Sequence, residues 1–513
     1  MVRWISRLLP VLSSVLLAAE MPQQPSPAAS PAESLPDKPR AVVIFLADDL
    51  GYNDTSAYGC REVPCPHLNR LAQEGLLFTD AHSTTSVCTP SRFSLLTGKY
   101  AWRQRGTGVL DGDAKLILPT KQEAMTLPAM MQRAGYRTGA FGKWHLGLGR
   151  GKAPTNWNAR ITPGPREVGF DESFIMAATA DRVPCVYLRD GEVVGLDPAD
   201  PIEVSYKPGF RFTEEQTAET HPELLKPWGR PVNQQHAGTI VDGISRIGHM
   251  RGGRAALWKD QDLADTITEE AVRFIRESAG KPIFLYFCTN DIHVPRDPHH
   301  RFKGKSALGI RGDVTVQMDD SLGRIRAALE EAGYGDDCLL IFTSDNGPVI
   351  NDGYRDGSDE ACRAHRPAAP FSGGKYGIEE GGTRVPFIVW WPGKVAPGRS
   401  AALMSQMDLG RTLAALVGQE VPEGSMPDSE QHLGALLGRE AQGRRFLVEQ
   451  AMSNRLALRM GLYKYVAPWR GQPERLYHLG DDVAEQRDLA PTQPELLQEC
   501  REQLKAIRDR KGS

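Results

Sequence analysis

The chain has 513 residues, 40% of them hydrophobic and 24% charged, which supplies ample apolar material for large cores and excludes fibrous, collagen-like and wholly disordered chains. Lys and Arg number 61 and Asp and Glu 64, a formal net charge of −3. So neutral a surface lacks the bulk positive field that holds nucleic acid, and no nucleic-acid partner is expected.

In chain order, Arg3 and Arg7 precede an apolar stretch over residues 8–19 that contains Pro10 and closes on Ala18 and Ala19. This is the pattern of a secretory signal peptide over residues 1–19, shorter than the ~20 apolar residues of a membrane span. No later stretch is apolar enough to anchor the chain, so an exported protein, periplasmic or extracellular and without a membrane span, is expected. Residues 20–40 hold six prolines and almost no large apolar side chain, which makes them a linker. The eight cysteines are scattered, with only Cys60 and Cys65 close together. Most read as small buried apolar residues, although an exported chain also permits disulfides.

Five short apolar runs have the pattern of strands buried on both faces of a parallel sheet: AVVIFLADD from Ala41, RTGAFGKWH from Arg137, KPIFLYFCTNDIH from Lys281, CLLIFTSDNG from Cys338 and RVPFIVWWPG from Arg384. Between them, LNRLAQEGLLF from Leu68, LPAMMQRAG from Leu127 and DSLGRIRAALEEAG from Asp320 repeat apolar residues at helical spacing. The fold class is therefore α/β, a large and mainly parallel sheet sandwiched by helices. VPCVYLRDGEVVGL from Val183 reads as a hairpin turning at Asp190 and Gly191, followed by long loops carrying His221, His236, His249 and Arg251. Among the loop residues Asp181, Arg182, His249 and Trp258 are candidates to touch a ligand. Near the C-terminus LALRMGLYKYV and ERLYHLGDDVAEQRDLA predict antiparallel strands, then a helix from about Pro494. This organisation places a main α/β domain over residues 41–425 and a smaller α+β subdomain over 426–513.

In open α/β sheets ligands collect beyond the carboxyl ends of the strands. The first run ends in Asp48 and Asp49, the second leads to Lys143 and His145, the third to His293, and the fourth to Asp345 and Asn346. Asp48, Asp49, Asp345 and Asn346 are all oxygen donors, which suits a hard divalent ion, calcium in preference to magnesium. In SVCTPSRFSLLTGKY, Thr89 is a suitable N-cap, Pro90 fits the first helical position, Leu95 and Leu96 can face the core, and Gly98 can end the helix. Cys88 then sits at a helix N-terminus with Arg92 one turn on, a setting that stabilises negative charge on a nucleophile.

CTPSR matches the CxPxR signature of the type I sulfatases, and the chain resembles that family further in its early DD, LLTGKY, GKWHLG, SDNG and GGKYGIEEGGTRVP motifs, from about Ala41 to Gly418. The resemblance implies an alkaline-phosphatase-like fold with a large mixed sheet, and a formylglycine made from Cys88 by a maturation enzyme. It further implies a Ca2+ site of Asp48, Asp49, Asp345, Asn346 and the modified Cys88. Arg92 and His145 are implied to hold the formylglycine, Lys143 and Lys375 to bind the sulfate oxygens, and His293 to act as general acid. Arg384 reads as structural. The implied activity is hydrolysis of sulfuric esters, arylsulfatase-type, on a sulfated small molecule or glycan. The resemblance implies that one hydroxyl of the hydrated aldehyde attacks sulfur, and that loss of a proton from the second lets the aldehyde re-form as sulfate leaves. Two alternatives stand beside it: a phosphate or phosphonate monoester hydrolase on the same scaffold, and a non-catalytic sulfated-glycan binding protein in which Cys88 stays a thiol.

Overall fold

Alternation along the apolar runs sorts their side chains onto two faces. In the strand Ala41–Ala47, Val42, Ile44 and Leu46 join one hydrophobic core while Ala41, Val43, Phe45 and Ala47 join a second, as the two-residue repeat of a strand requires. The first core is closed by Phe93, Leu95 and Leu96, by Leu127, Met130 and Met131, and by Leu409 and Leu413. These belong to the helices Cys88–Thr97, Leu127–Arg133 and Leu409–Val417. The second core is closed by Leu68 and Leu71, Ile267 and Phe274, and Met318 and Ile325, from the helices Pro66–Glu74, Leu263–Glu277 and Gly309–Glu331. This computed structural model describes residues 37–510, so the expected signal peptide and most of the linker lie outside the described residues.

The sheet has ten strands. Its centre is five parallel strands, ordered Cys338–Ser344, Ala41–Ala47, Ile283–Cys288, Arg137–Lys143 and Glu172–Met176. The Tyr187–Arg189 strand and the hairpin partner Glu192–Val193 extend one edge, with Asp190 and Gly191 at positive φ in the expected turn. The fifth sequence run departs from expectation: its strand, Phe387–Trp390, pairs antiparallel with both Cys338–Ser344 and Leu76–Phe78. Between Ser344 and Phe387 the chain forms only the four-residue helices Ser358–Ala361 and Glu380–Thr383, so no crossover carries it to the far edge and it re-enters the sheet reversed. The run from Leu68 is also shorter as a helix than predicted. It stops at Glu74, and Leu76–Phe78 is a strand, because Gly75 lies where a Cβ would meet the Val389 carbonyl at 2.6 Å.

At the C-terminus four antiparallel strands, Phe446–Gln450, Leu456–Met460, Tyr463–Val466 and Arg475–His478, pack on the helix Pro494–Asp509 through Leu458, Leu476, Leu497 and Leu504. The first of these strands lies outside the runs that sequence patterning marks as strands. Arg459 and Lys464 in this sheet reach a buried carboxylate group: Arg459 meets Asp80 at 3.0 Å and Glu380 at 2.9 Å, and Lys464 meets Glu380 at 3.0 Å and Glu449 at 3.2 Å. All eight cysteines are free and buried, as small apolar residues are. Among the described residues no helix is long and apolar enough to cross a membrane.

Asp291, just past the Ile283–Cys288 strand, is buried. Its Oδ1 accepts from Gln317 Nε2 at 2.9 Å, while its Oδ2 has no partner. Burial pushes this carboxyl up to about 7. A carboxyl raised on folding favours the native state most fully at pH below its ordinary value, and that contribution fades as pH rises through about 7. Asp291→Asn should therefore raise the thermal midpoint at pH 8, by on the order of 1 kcal/mol or more in stability, and leave it unchanged at pH 4; thermal denaturation at the two pH values measures this.

Candidate active site

The rim follows from strand register. Ala47 and Ser344 are paired neighbours, so the chain delivers Asp48 and Asp49 beside Asp345 and Asn346. Asn346 Nδ2 donates to Asp49 Oδ1 at 2.8 Å, and the Asp49 amide donates to Asp345 Oδ1 at 3.3 Å. Lys143, last residue of its strand, places Nζ 2.7 Å from both carboxylate oxygens of Asp48. Arg92 pairs with Asp345 at 2.8 Å and donates to the Lys143 carbonyl at 3.0 Å. Lys375 bridges Asp49 Oδ2 and Asp352 Oδ2, each at 2.8 Å. His293 Nε2 lies 3.9 Å from Asp49 Oδ2, with Nδ1 on the Val294 carbonyl at 2.7 Å. Asp49, His145 and Tyr376 all have φ in the left-handed region, strain that side chains of this kind accept where a site constrains the backbone.

The helix Cys88–Thr97 begins at Cys88 itself, with extended Val87 as its N-cap. Thr89 is therefore not the cap. It lies inside the first turn, where its Oγ1 donates to the His145 carbonyl at 3.1 Å, and Pro90 occupies the third position, whose N–H would be unpaired in any case. Gly98 ends the helix left-handed at φ 60, and Leu95 and Leu96 are buried, both as expected. Burial pushes the Cys88 thiol up, against the opposite pull of Lys143 and Lys375.

Burial also pushes Asp48 well above the usual carboxylate range, with Lys143 opposing. Asp49 suffers the same desolvation, yet Lys375 and Lys143 hold it below that range. His145 and His293 are driven well below the ordinary imidazole value, by burial first and then by neighbouring cations, so both are neutral at pH 7. A cluster of three buried carboxylates suits a divalent cation, and Asn346 supplies a fit: its Oδ1 is buried without a hydrogen-bond partner. Asp48, Asp49 and His293 offer ligand atoms within 4.8 Å of one another.

Cys88, His145, His293 and Lys375 open onto one cavity of about 310 Å3, shared with Asp181, Arg182, His236, Asp352, Tyr376 and Met452. Arg182 Nη1 holds Asp181 Oδ1 at 2.8 Å, and Asp181 Oδ2 lies 3.5 Å from His236 Nε2. Of the loop candidates, Asp181 and Arg182 reach the cavity. Trp258 is buried in the second core instead, and His249 pairs with Glu215 at 2.9 Å. Asp352 and Tyr376 are joined at 2.8 Å; Asp352 lay in no motif by which sequence could single it out, and Tyr376 stood in GGKYGIEEGGTRVP without a role of its own. Arg384 is structural as expected, donating to the Thr79 carbonyl at 2.9 Å.

This fold and rim define a hydrolase scaffold, and comparison places it. Residues 40–419 match the Sulfatase family model. The chain is 45% identical over 520 residues to the N-acetylgalactosamine-6-O-sulfatase of Bacteroides thetaiotaomicron, covering 99% of each chain. It is 31% identical over 451 residues to the N-acetylgalactosamine-6-sulfatase of Rattus norvegicus, covering 84% of this chain and 69% of that one. A solved structure from work on glycosaminoglycan metabolism by Bacteroides thetaiotaomicron superposes with TM-score 0.88 at 46% identity, over 93% of this chain and 100% of that one. The phosphonate monoester hydrolase of Agrobacterium radiobacter, with TM-score 0.55 at 20% identity over 92% of this chain and 95% of that one, shares the fold alone. The chain belongs to the sulfatase family, and it is a sulfuric ester hydrolase.

Asn346→Ala removes a neutral oxygen donor without leaving any buried cation unpaired. It should weaken divalent-cation binding by ~10-fold or more while preserving the circular dichroism spectrum; titration calorimetry reads the affinity.

Proposed function

We propose that this sulfatase releases the 6-O-sulfate of N-acetylgalactosamine residues in glycosaminoglycan-derived saccharides, using formylglycine made from Cys88 and a Ca2+ ion. The observation that carries the substrate is the 45% identity to an N-acetylgalactosamine-6-O-sulfatase over 99% of both chains. The geometry supports the chemistry. Asp48, Asp49, Asp345, Asn346 and the modified residue 88 would hold the Ca2+, which would supply Lewis-acid stabilisation of sulfate charge, and formylglycine would supply a hydrated aldehyde as nucleophile.

The remaining roles fall to side chains already in place. With its proton held by burial, an unconverted Cys88 thiol is a poor nucleophile at neutral pH, which favours conversion over direct use. Arg92 lies one turn along the helix from residue 88, fixed by Asp345, and His145 turns an unpartnered Nδ1 into its surroundings while Nε2 takes the Leu110 carbonyl at 2.9 Å. These two orient residue 88. Lys143 and Lys375, anchored on Asp48 and Asp49, direct their remaining N–H donors at the sulfate oxygens, where charge shifts as the S–O bond breaks. A primary sugar alcohol is a much poorer leaving group than a phenol, so its oxygen needs a proton during cleavage. His293, whose Nδ1 donates to the Val294 carbonyl, has to be protonated at Nε2 before it can make that transfer, and the negative charge of a bound sulfate ester facing it favours the imidazolium. Asp181, Arg182 and His236 line the wall where sugar hydroxyls would lie, and Met452 from the 426–513 subdomain narrows the opening of the 41–425 catalytic domain. The N-terminal signal pattern supports export, and a formylglycine-generating maturation enzyme is the required partner.

In protein coexpressed with that enzyme, mass spectrometry of the peptide carrying residue 88 should find formylglycine in place of cysteine, and Cys88→Ala should abolish sulfate release. Sulfate should be freed from 6-O-sulfated and not from 4-O-sulfated N-acetylgalactosamine; the opposite preference refutes the assigned position. His293→Ala should lower kcat on the sugar sulfate by ~10²–10⁴-fold and on an activated aryl sulfate by far less, and equal losses on the two esters would exclude the acid role.

A further inference from the structure

Away from the rim, Cys60, Glu62 and His365 bring one sulfur, one oxygen and one nitrogen donor within 4.8 Å of each other. Cys60 and His365 are buried, at 3% and 8% exposure, and Cys60 Sγ lies 3.3 Å from Glu62 Oε2. His365 gives Nε2 to Asp54 Oδ1 at 2.8 Å, which leaves Nδ1 as the nitrogen available to an ion. The Asp54 charge is already balanced by buried Arg311, whose Nη1 and Nη2 reach the carboxylate at 2.5 and 2.6 Å. Carboxylate behind imidazole is the arrangement that orients a metal-binding histidine and raises its basicity.

We propose that Cys60, Glu62 and His365 form a second metal site, selective for a zinc-class divalent ion. The mixed sulfur, nitrogen and oxygen set distinguishes it from the all-oxygen rim donors, because thiolate and imidazole favour borderline ions over calcium. Tetrahedral zinc with these ligands separates donor atoms by roughly 3.3–3.8 Å, so the three side chains need close only slightly around it. Glu62 is exposed, which gives the ion an entry path and lets water complete the coordination. On binding, the Cys60 sulfur exchanges its proton for the metal and the proton passes to solvent. The role is bracing. Asp54 also accepts from the Gly51 amide at 2.7 Å, and the Asn53 amide donates to the Pro367 carbonyl at 2.7 Å. The ion would clamp the loop that follows Asp48 and Asp49 to the segment around His365.

The test uses full-length protein carrying Cys88→Ala, so that the rim thiol cannot report, with excess Ca2+ to fill the oxygen-donor site. Titration with Co2+ should raise a thiolate-to-cobalt absorption in the near ultraviolet that saturates at one equivalent and is displaced by Zn2+. Cys60→Ser and His365→Ala should abolish the band, and Glu62→Gln, on the exposed side where folding is not at risk, should weaken Co2+ binding by ~10-fold. Zn2+ should also raise the thermal midpoint of the wild-type protein by a few degrees and leave Cys60→Ser unmoved. Absence of the band, its persistence in Cys60→Ser, unchanged affinity in Glu62→Gln, or a Cys60–Cys65 disulfide in the purified protein would each overturn the proposal. Conversion at residue 88 and sulfate release are independent of it.

Discussion

Three carboxylates buried at the ends of two neighbouring strands set the terms for everything around them. Asp48 and Asp49 leave one strand and Asp345 the next, and the parallel register that pairs Ala47 with Ser344 leaves them no room to separate. Like charges out of water are tolerated only when opposite charge is brought to them. The fold does so with Arg92 from a helix, Lys143 from a third strand and Lys375 from a rim loop. Asp352 adds a fourth carboxylate beside Lys375, so formal negative charge exceeds positive around the rim. A divalent ion would reverse that balance and suit the site to a singly charged sulfate ester.

The same requirement explains how the C-terminal sheet supports the candidate site, although among the described C-terminal residues Met452 alone lines the cavity. Lys375 sits on a glycine-rich loop that has no regular structure to stiffen it. Five residues on, Glu380 is locked by Arg459 and Lys464 of the small sheet, and its amide donates to Glu485 Oε2 at 2.6 Å. Thr383 is tied to Glu449 at 2.7 Å. These buried pairs hold the base of the loop, and the Lys375 ammonium is placed through them. Breaking one partner would leave an uncompensated charge in the interior, the costly direction for such pairs.

The scaffold is shared with a phosphonate monoester hydrolase at 20% identity, so the sheet and its helices do not choose the ester. That choice is left to side chains beyond the rim. Neutral His145 and His293 add no charge at pH 7, which leaves the positive charge lining the cavity to Lys375 and Arg182. The wall of Asp181, Arg182 and His236 is held by its own hydrogen bonds, and so it presents a fixed set of donors and acceptors to a ligand.

The local chemistry of the site was legible in the chain alone. Apolar runs of strand length ended in Asp48 and Asp49, Lys143, His293, Asp345 and Asn346, and the CTPSR segment placed Cys88 and Arg92 one helical turn apart, because strand and helix periodicities are local properties. Tertiary structure decided the rest. Only packing could reveal that Phe387–Trp390 runs antiparallel, that burial outweighs the helix N-terminus and neighbouring lysines at Cys88, and that Asp352 and His236 reach a cavity containing residues far away in sequence. Desolvation and long-range charge depend on what surrounds a side chain in space, and no stretch of neighbouring residues encodes that by itself.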